Sequence, residues 1–85
     1  MGNVFYLYIL RGPRGHLYVG TTANVKKRIQ RHTAGKGAEF TRRNMVFKLE
    51  YLEEFNTLTE ARQRERQIKG WRRDKKENLI KFGKP

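Results

Sequence analysis

Apolar and aromatic residues fall in short clusters along the chain, and their spacing changes from one cluster to the next. Val4 to Leu10 reads Val-Phe-Tyr-Leu-Tyr-Ile-Leu without a polar interruption, the pattern of a central strand covered on both faces. Period-two alternation puts Tyr6, Tyr8 and Leu10 on one face and Phe5, Leu7 and Ile9 on the other. Gly12-Pro13-Arg14-Gly15 supplies strong turn residues, so His16 to Val19 returns as a second strand and residues 4 to 20 form a β-hairpin. Tyr8 and Tyr18, one on each strand, are placed to meet across the pair. Gly20 reads as a tight turn into an amphipathic helix from about Asn24 to Thr33, in which Val25 and Ile29 form the inward stripe. Arg28 and His32 are also four apart, so they sit one turn above the other on a face bordering the core.

From Ala34 to Asn44 the pattern breaks down into paired glycines and three basic residues. This is a loop, with room for one helical turn near Ala38 to Arg42. Two readings stand side by side: a backbone-phosphate contact through Lys36, Arg42 and Arg43 with Phe40 as a stacking ring, or a solvated connector with Phe40 in the core. Val46 to Phe55 is a third strand, an edge on one side. Thr57 with Glu60 three residues later is a capping box and starts a helix. The inward stripe of that helix reads Leu58, Ala61, Glu65, Ile68 and Trp71, and Glu65 is its one polar member. A carboxylate on a buried stripe needs compensation. Either it pairs with Arg62, Lys69 or Arg28, or it reaches a cleft and holds a divalent cation through oxygen. Gly70 weakens the helix before Trp71, and Asp74 caps a terminal helix over Asp74 to Phe82. Arg72, Arg73, Lys75 and Lys76 gather at the junction as a phosphate contact or a solvated bend.

Charge changes the picture more than any other global property. Twenty Lys and Arg stand against eight Asp and Glu, a net charge of +12 on 85 residues. Such a chain attracts polyanions, with nucleic acid ahead of an anionic membrane surface. Its length suits one small domain, residues 1–85, whose core is modest. There is no cysteine, which removes disulfides, a thiolate nucleophile and a zinc ribbon and fits a reducing compartment. No signal peptide and no run of about 20 apolar residues is present, so the expected location is the cytoplasm. No internal repeat is visible.

The ordered set Tyr6-Leu7-Tyr8, Tyr18-Val19-Gly20, Asn24, Arg28, His32 and helical Glu65 resembles the GIY-YIG endonuclease superfamily, and within it the small stand-alone bacterial members. The first motif carries Tyr6 and Leu7 in place of Gly and Ile. The resemblance implies an α+β fold, a small three-stranded antiparallel sheet flanked by helices, which agrees with the pattern above. It also implies a catalytic set of Tyr8, Tyr18, Arg28, His32 and Glu65, with Glu65 holding one divalent cation, Mg2+ or Mn2+. In the family an asparagine late in the domain often lies near the metal, and Asn78 is the late asparagine here. The implied activity is metal-dependent cleavage of phosphodiester bonds in DNA, single-stranded or structurally irregular, in repair or recombination. Arg28 would clamp phosphate oxygens and Tyr18 would take the proton of the attacking water, with Tyr8 and His32 orienting. Lys36, Arg42, Arg43, Arg72 and Arg73 are the candidate nucleic-acid contacts, with DNA expected ahead of RNA. The chain is expected to act as a monomer without a membrane. The alternatives are a non-catalytic nucleic-acid-binding module and a nuclease domain that needs a protein partner for activity or targeting.

Overall fold

In a computed structural model, which describes residues 4–28 and 47–84, the uninterrupted apolar run becomes the middle of the sheet. β1 (Phe5–Arg11) lies between β2 (Leu17–Thr22) and β3 (Lys48–Phe55), antiparallel to both. Leu7, Tyr8, Ile9 and Leu10 are all buried, so both faces of β1 are covered, as its lack of polar positions requires. The turn between β1 and β2 closes through the Gly12 N–H on His16 O at 2.8 Å and the Gly15 N–H on Gly12 O at 2.9 Å. Gly15 has φ 87°, a left-handed conformation that glycine adopts without steric penalty.

Two helices cover the Leu7–Ile9 face. α1 (Leu58–Lys69) begins at Thr57, whose side chain accepts the Glu60 N–H at 3.1 Å as the capping box predicts. It packs mainly on β2 and β1, burying Ala61 and Ile68. α2 (Arg73–Phe82) adds Leu79, and Leu7, Ile9, Ile68 and Leu79 make the fully buried cluster. Trp71 fills the junction between the helices, with the Arg64 guanidinium 5.4 Å and the Lys75 ammonium 4.6 Å from its ring centroid, within cation–π range. The architecture is the expected α+β arrangement, a three-stranded antiparallel sheet flanked by helices.

Three boundaries differ from the sequence reading. β2 does not turn at Gly20 but runs on to Thr22, because Gly20 faces Tyr8 across the β1–β2 pair. A Cβ at position 20 would stand 2.6 Å from Tyr8 Cζ and closer still to its hydroxyl. The glycine therefore marks a close approach within a strand. α2 starts one residue early, at Arg73, with Arg72 as an N-cap that makes no side-chain bond. Asp74 lies inside the first turn, where its charge favours the helix N-terminus, rather than capping it. β3 is described from Lys48; residue 46, its expected start, lies outside the described residues, as do residues 29–33 of the expected first helix. The beginning of that helix is seen: residues 25–28 are helical, and Asn24 caps them by accepting the Lys27 N–H at 3.0 Å on its side chain.

A β-bulge ties the sheet to α2. Ile9 pairs with Tyr51 and Leu10 with Leu49, so Glu50 is the extra residue on β3. Glu50 accepts the Arg11 Nε–H at 2.6 Å, while both terminal nitrogens of Arg11 bind the Glu77 carboxylate at 2.7 and 3.0 Å. Arg73 closes the group, donating to Glu77 at 3.1 Å and to the turn carbonyl of Gly15 at 2.7 Å. The Arg11 bonds hold the Glu77 carboxyl down at about 2, from an ordinary 4.5, and hold the Arg11 guanidinium protonated beyond its ordinary value.

Two outcomes are expected. Gly20→Ala forces Tyr8 off its site and destabilises the domain by about 1–3 kcal/mol, read by urea denaturation. Glu77 titrates lower in the folded than in the unfolded chain. Its stabilisation is thus complete above 4.5 and lost as pH falls towards about 2. Glu77→Gln should lower Tm at pH 7 and flatten the loss of Tm between pH 4.5 and 2 in acid melting series.

Candidate active site

The catalytic candidates in the described residues lie on β2 or on the elements that flank it. Tyr8 crosses from β1 and packs over Gly20, 3% exposed. Tyr18 stands on the same face of the sheet, opposite Leu10 and diagonal to Tyr8. Its ring leans the other way, 5.4 Å from the Phe47 ring and over Gly12, where a Cβ would stand 2.9 Å from Tyr18 Cε2. The two tyrosines share a face but lean towards opposite ends of β2. Tyr18 is 40% exposed, so it is the tyrosine that solvent and ligands reach.

Thr21 points to the other face, where α1 lies. Its hydroxyl donates to Glu65 Oε1 at 3.3 Å, and Lys69 Nζ sits 2.7 Å from Glu65 Oε2. Glu65 occupies the inward stripe position read from the sequence, between buried Ala61 and Ile68. It is compensated by the lysine four residues on, one of the partners its spacing allows. The carboxylate keeps 21% of its side-chain surface, so it lies at the rim of the α1–β2 seam rather than in the core. Arg28 is half-buried in the helical turn that follows β2, and its guanidinium has no carboxylate partner among the described residues.

The structure thus brings Glu65, Thr21 and Lys69 together and places Tyr18 elsewhere. Positions 18 and 21 are three residues apart, about 10 Å along a strand, and point to opposite faces. Any single ligand contact with both Tyr18 and Glu65 requires a path across β2, which is an edge strand among the described residues. His32, Lys36, Phe40, Arg42 and Arg43 lie outside the described residues. Arg72 is exposed at the start of α2, whereas Arg73 is held by Glu77 and Gly15 and serves as a tie between α2 and the hairpin turn. Asn78 is exposed on α2. The sequence reading missed Thr21 and Phe47. Alternation with Val19 would have put Thr21 on the helix-facing side of β2, but nothing local pairs it with Glu65.

Among the described residues no three His, Asp or Glu side chains gather as a metal cage. One carboxylate at the rim with a hydroxyl beside it still fits a hard cation such as Mg2+, which keeps several waters and takes one or two protein oxygens. That the site accommodates positive charge is visible in the Lys69 ammonium against Oε2.

Comparison with known proteins identifies the family. Residues 4–78 match the model of the GIY-YIG catalytic domain. The chain belongs to the GIY-YIG family. Similar chains include a UPF0213 protein of Bacillus licheniformis, 44% identical over 92% of this chain and 80% of the relative, and one of Haloquadratum walsbyi, 37% identical over 98% and 93%. The solution NMR structure of a UPF0213 protein from Bacillus halodurans superposes with a TM-score of 0.62 at 38% identity, covering 93% of this chain and 84% of that one. GIY-YIG membership makes this a nuclease-family domain and its basic surface one suited to nucleic acid. Among the described residues no helix is long and apolar enough to cross a membrane.

Because Glu65 is partly exposed, its pair with Lys69 contributes at most about 1 kcal/mol. Glu65→Gln should stay folded, with Tm lowered by no more than about 4–8 °C in a thermal melt. A larger fall would mean that Glu65 is a core ion-pair partner rather than a group held ready at the rim.

Proposed function

We propose that the domain hydrolyses phosphodiester bonds in DNA, using one divalent cation, Mg2+ or Mn2+, held at Glu65. The observation that carries this reading is the Glu65 carboxylate at the α1–β2 seam, aligned by the Thr21 hydroxyl and countered by the mobile-stemmed Lys69. A cation bound there neutralises charge on the phosphate and on the leaving oxygen. Arg28, always charged and fork-shaped, grips the non-bridging oxygens of a phosphate lying across the edge of β2. Tyr18 lies on the opposite face and towards the other end of β2, where its exposed ring meets a neighbouring part of the same nucleic-acid strand. In the hydrolysis the attacking water bonds through its oxygen to phosphorus and gives up its proton to solvent, one ester P–O bond breaks, and the leaving oxygen is protonated from solvent. Tyr8 acts at a distance, since its ring on Gly20 sets how closely β1 and β2 approach and hence where the edge lies.

Single-stranded or structurally irregular DNA is the substrate favoured here, of the kind that repair and recombination produce. The exposed Tyr18 ring against Phe47 offers an unstacked base a platform, and among the described residues the site is built around an edge strand, β2, rather than a helix shaped for the major groove.

The test is a cleavage assay on single-stranded, duplex and branched DNA and on RNA, with Mg2+ or Mn2+ and with chelator. Wild-type chain should cut irregular or single-stranded DNA in a metal-dependent way. Glu65→Gln should lose at least about 100-fold in rate while retaining binding, and Arg28→Lys should lose on the order of 10- to 1000-fold. Unaltered cleavage by Glu65→Gln overturns the metal assignment. Binding by the wild type with no cleavage of any substrate would leave a binding module.

A further inference from the structure

The two flanks of α1 differ in charge, and contacts identify which strand each flank faces. Arg62, Glu65, Arg66 and Lys69 stand at i, i+3, i+4 and i+7, on one side of the helix. The Thr21–Glu65 bond shows this to be the β2 side. Arg64 lies on the other flank, where it donates to Glu53 of β3 at 2.9 Å and to Gln67 at 2.7 Å and stacks on Trp71. The cation of the β3 flank is therefore committed to the fold. On the β2 flank Arg62 and Arg66 are exposed, and neither has a carboxylate partner among the described residues. They are like charges four residues apart, an arrangement that disfavours an isolated helix and that a bound polyanion relieves. Lys69, 56% exposed, extends the row. Lys26 and Lys27, exposed in the turn after β2, carry positive charge beyond the end of that strand.

We propose that this flank, formed by Arg62, Arg66 and Lys69, is the track on which the phosphate backbone of one nucleic-acid strand lies as it passes Glu65. Seven residues of α-helix span about 10 Å, long enough for the row to run beside more than one phosphate of a strand. The track explains how one carboxylate can stand in the path of a polyanion: the cations on its own helix outnumber it three to one. It rests on the nucleic-acid reading above and adds to it a surface and a direction, along α1 and beside β2.

The experiment measures binding of a fluorescein-labelled single-stranded oligonucleotide as a function of salt, in chelator so that nothing is hydrolysed. The wild type is compared with Arg62→Gln/Arg66→Gln, with the charge-restoring Arg62→Lys/Arg66→Lys, and with Lys81→Gln/Lys84→Gln, which removes the same charge from exposed positions at the end of α2 and beyond it. The track predicts that the first variant lowers the slope of log affinity against log salt by about 1.4, two contacts at about 0.7 each, and weakens binding about tenfold or more at low salt. The lysine restoration should recover most of the slope, which also shows that the loss is not one of folding. The α2 variant should change affinity less than about twofold. Equal effects of the two glutamine pairs would overturn the track and leave a diffuse positive field. Failure of the wild type to bind at low salt would overturn the nucleic-acid reading itself and the track with it.

Discussion

The Tyr8 ring occupies the space where a side chain at position 20 would stand, and the placing of the site follows from that contact. β1 is the central strand, buried on both faces, and β2 is an edge strand that the site is built around. Packing a tyrosine across the pair onto a bare backbone lets β2 run straight through Gly20 to Thr22. Thr21 can then face α1 and Glu65, and the helical turn carrying Arg28 leaves from the end of the strand. A side chain at position 20 would displace the ring and with it the strand on which each of these groups depends.

Electrostatics divides the molecule in a second way. Carboxylates are scarce, and the structure uses three of them, Glu50, Glu53 and Glu77, as ties. Glu50 and Glu77 hold Arg11, Glu53 holds Arg64, and Glu77 holds Arg73 as well. These bonds fasten the hairpin turn, the bulged β3 and both helices to one another on the side away from β2. Glu65 differs in where it points. It faces Thr21 at the seam, and its partner is an exposed lysine of its own helix. The acids bracing the fold and the acid at the candidate site are thus separated by element as well as by environment, and on the β2 side of α1 Arg62 and Arg66 are left without a carboxylate partner among the described residues.

Elements whose signal is local were legible from the chain. The uninterrupted run from Val4 to Leu10 announced a strand covered twice, the Gly12–Gly15 turn a hairpin, and Thr57 with Glu60 a capped helix. The inward stripe of that helix singled out Glu65 before any packing was known. Gly20 was misread because a glycine between a short apolar strand and the start of a helix is equally good turn chemistry. What kept it in a strand was the ring of a residue twelve positions earlier, which no local pattern contains. Asp74 was misread for a related reason: Arg72 already has the extended backbone of a cap, so the acid falls two positions too deep.

What the sequence by itself determined is the list of parts: two tyrosine motifs, Arg28, an inward glutamate and an excess of positive charge, in an order that identifies the family. Periodicity carries this information because strands and helices repeat over distances shorter than the segments themselves. Only the tertiary structure decided which of those parts meet. It put Thr21 and Lys69 on Glu65, leaned Tyr18 towards Phe47 at the far end of β2, bound Arg73 into the scaffold, and turned one flank of α1 towards the sheet edge. Each of these depends on how α1 crosses β2 and on the register of β1 against its neighbours. Crossing and register are set by the burial of Leu7, Ile9, Ile68 and Leu79 together, an interaction among residues from opposite ends of the chain.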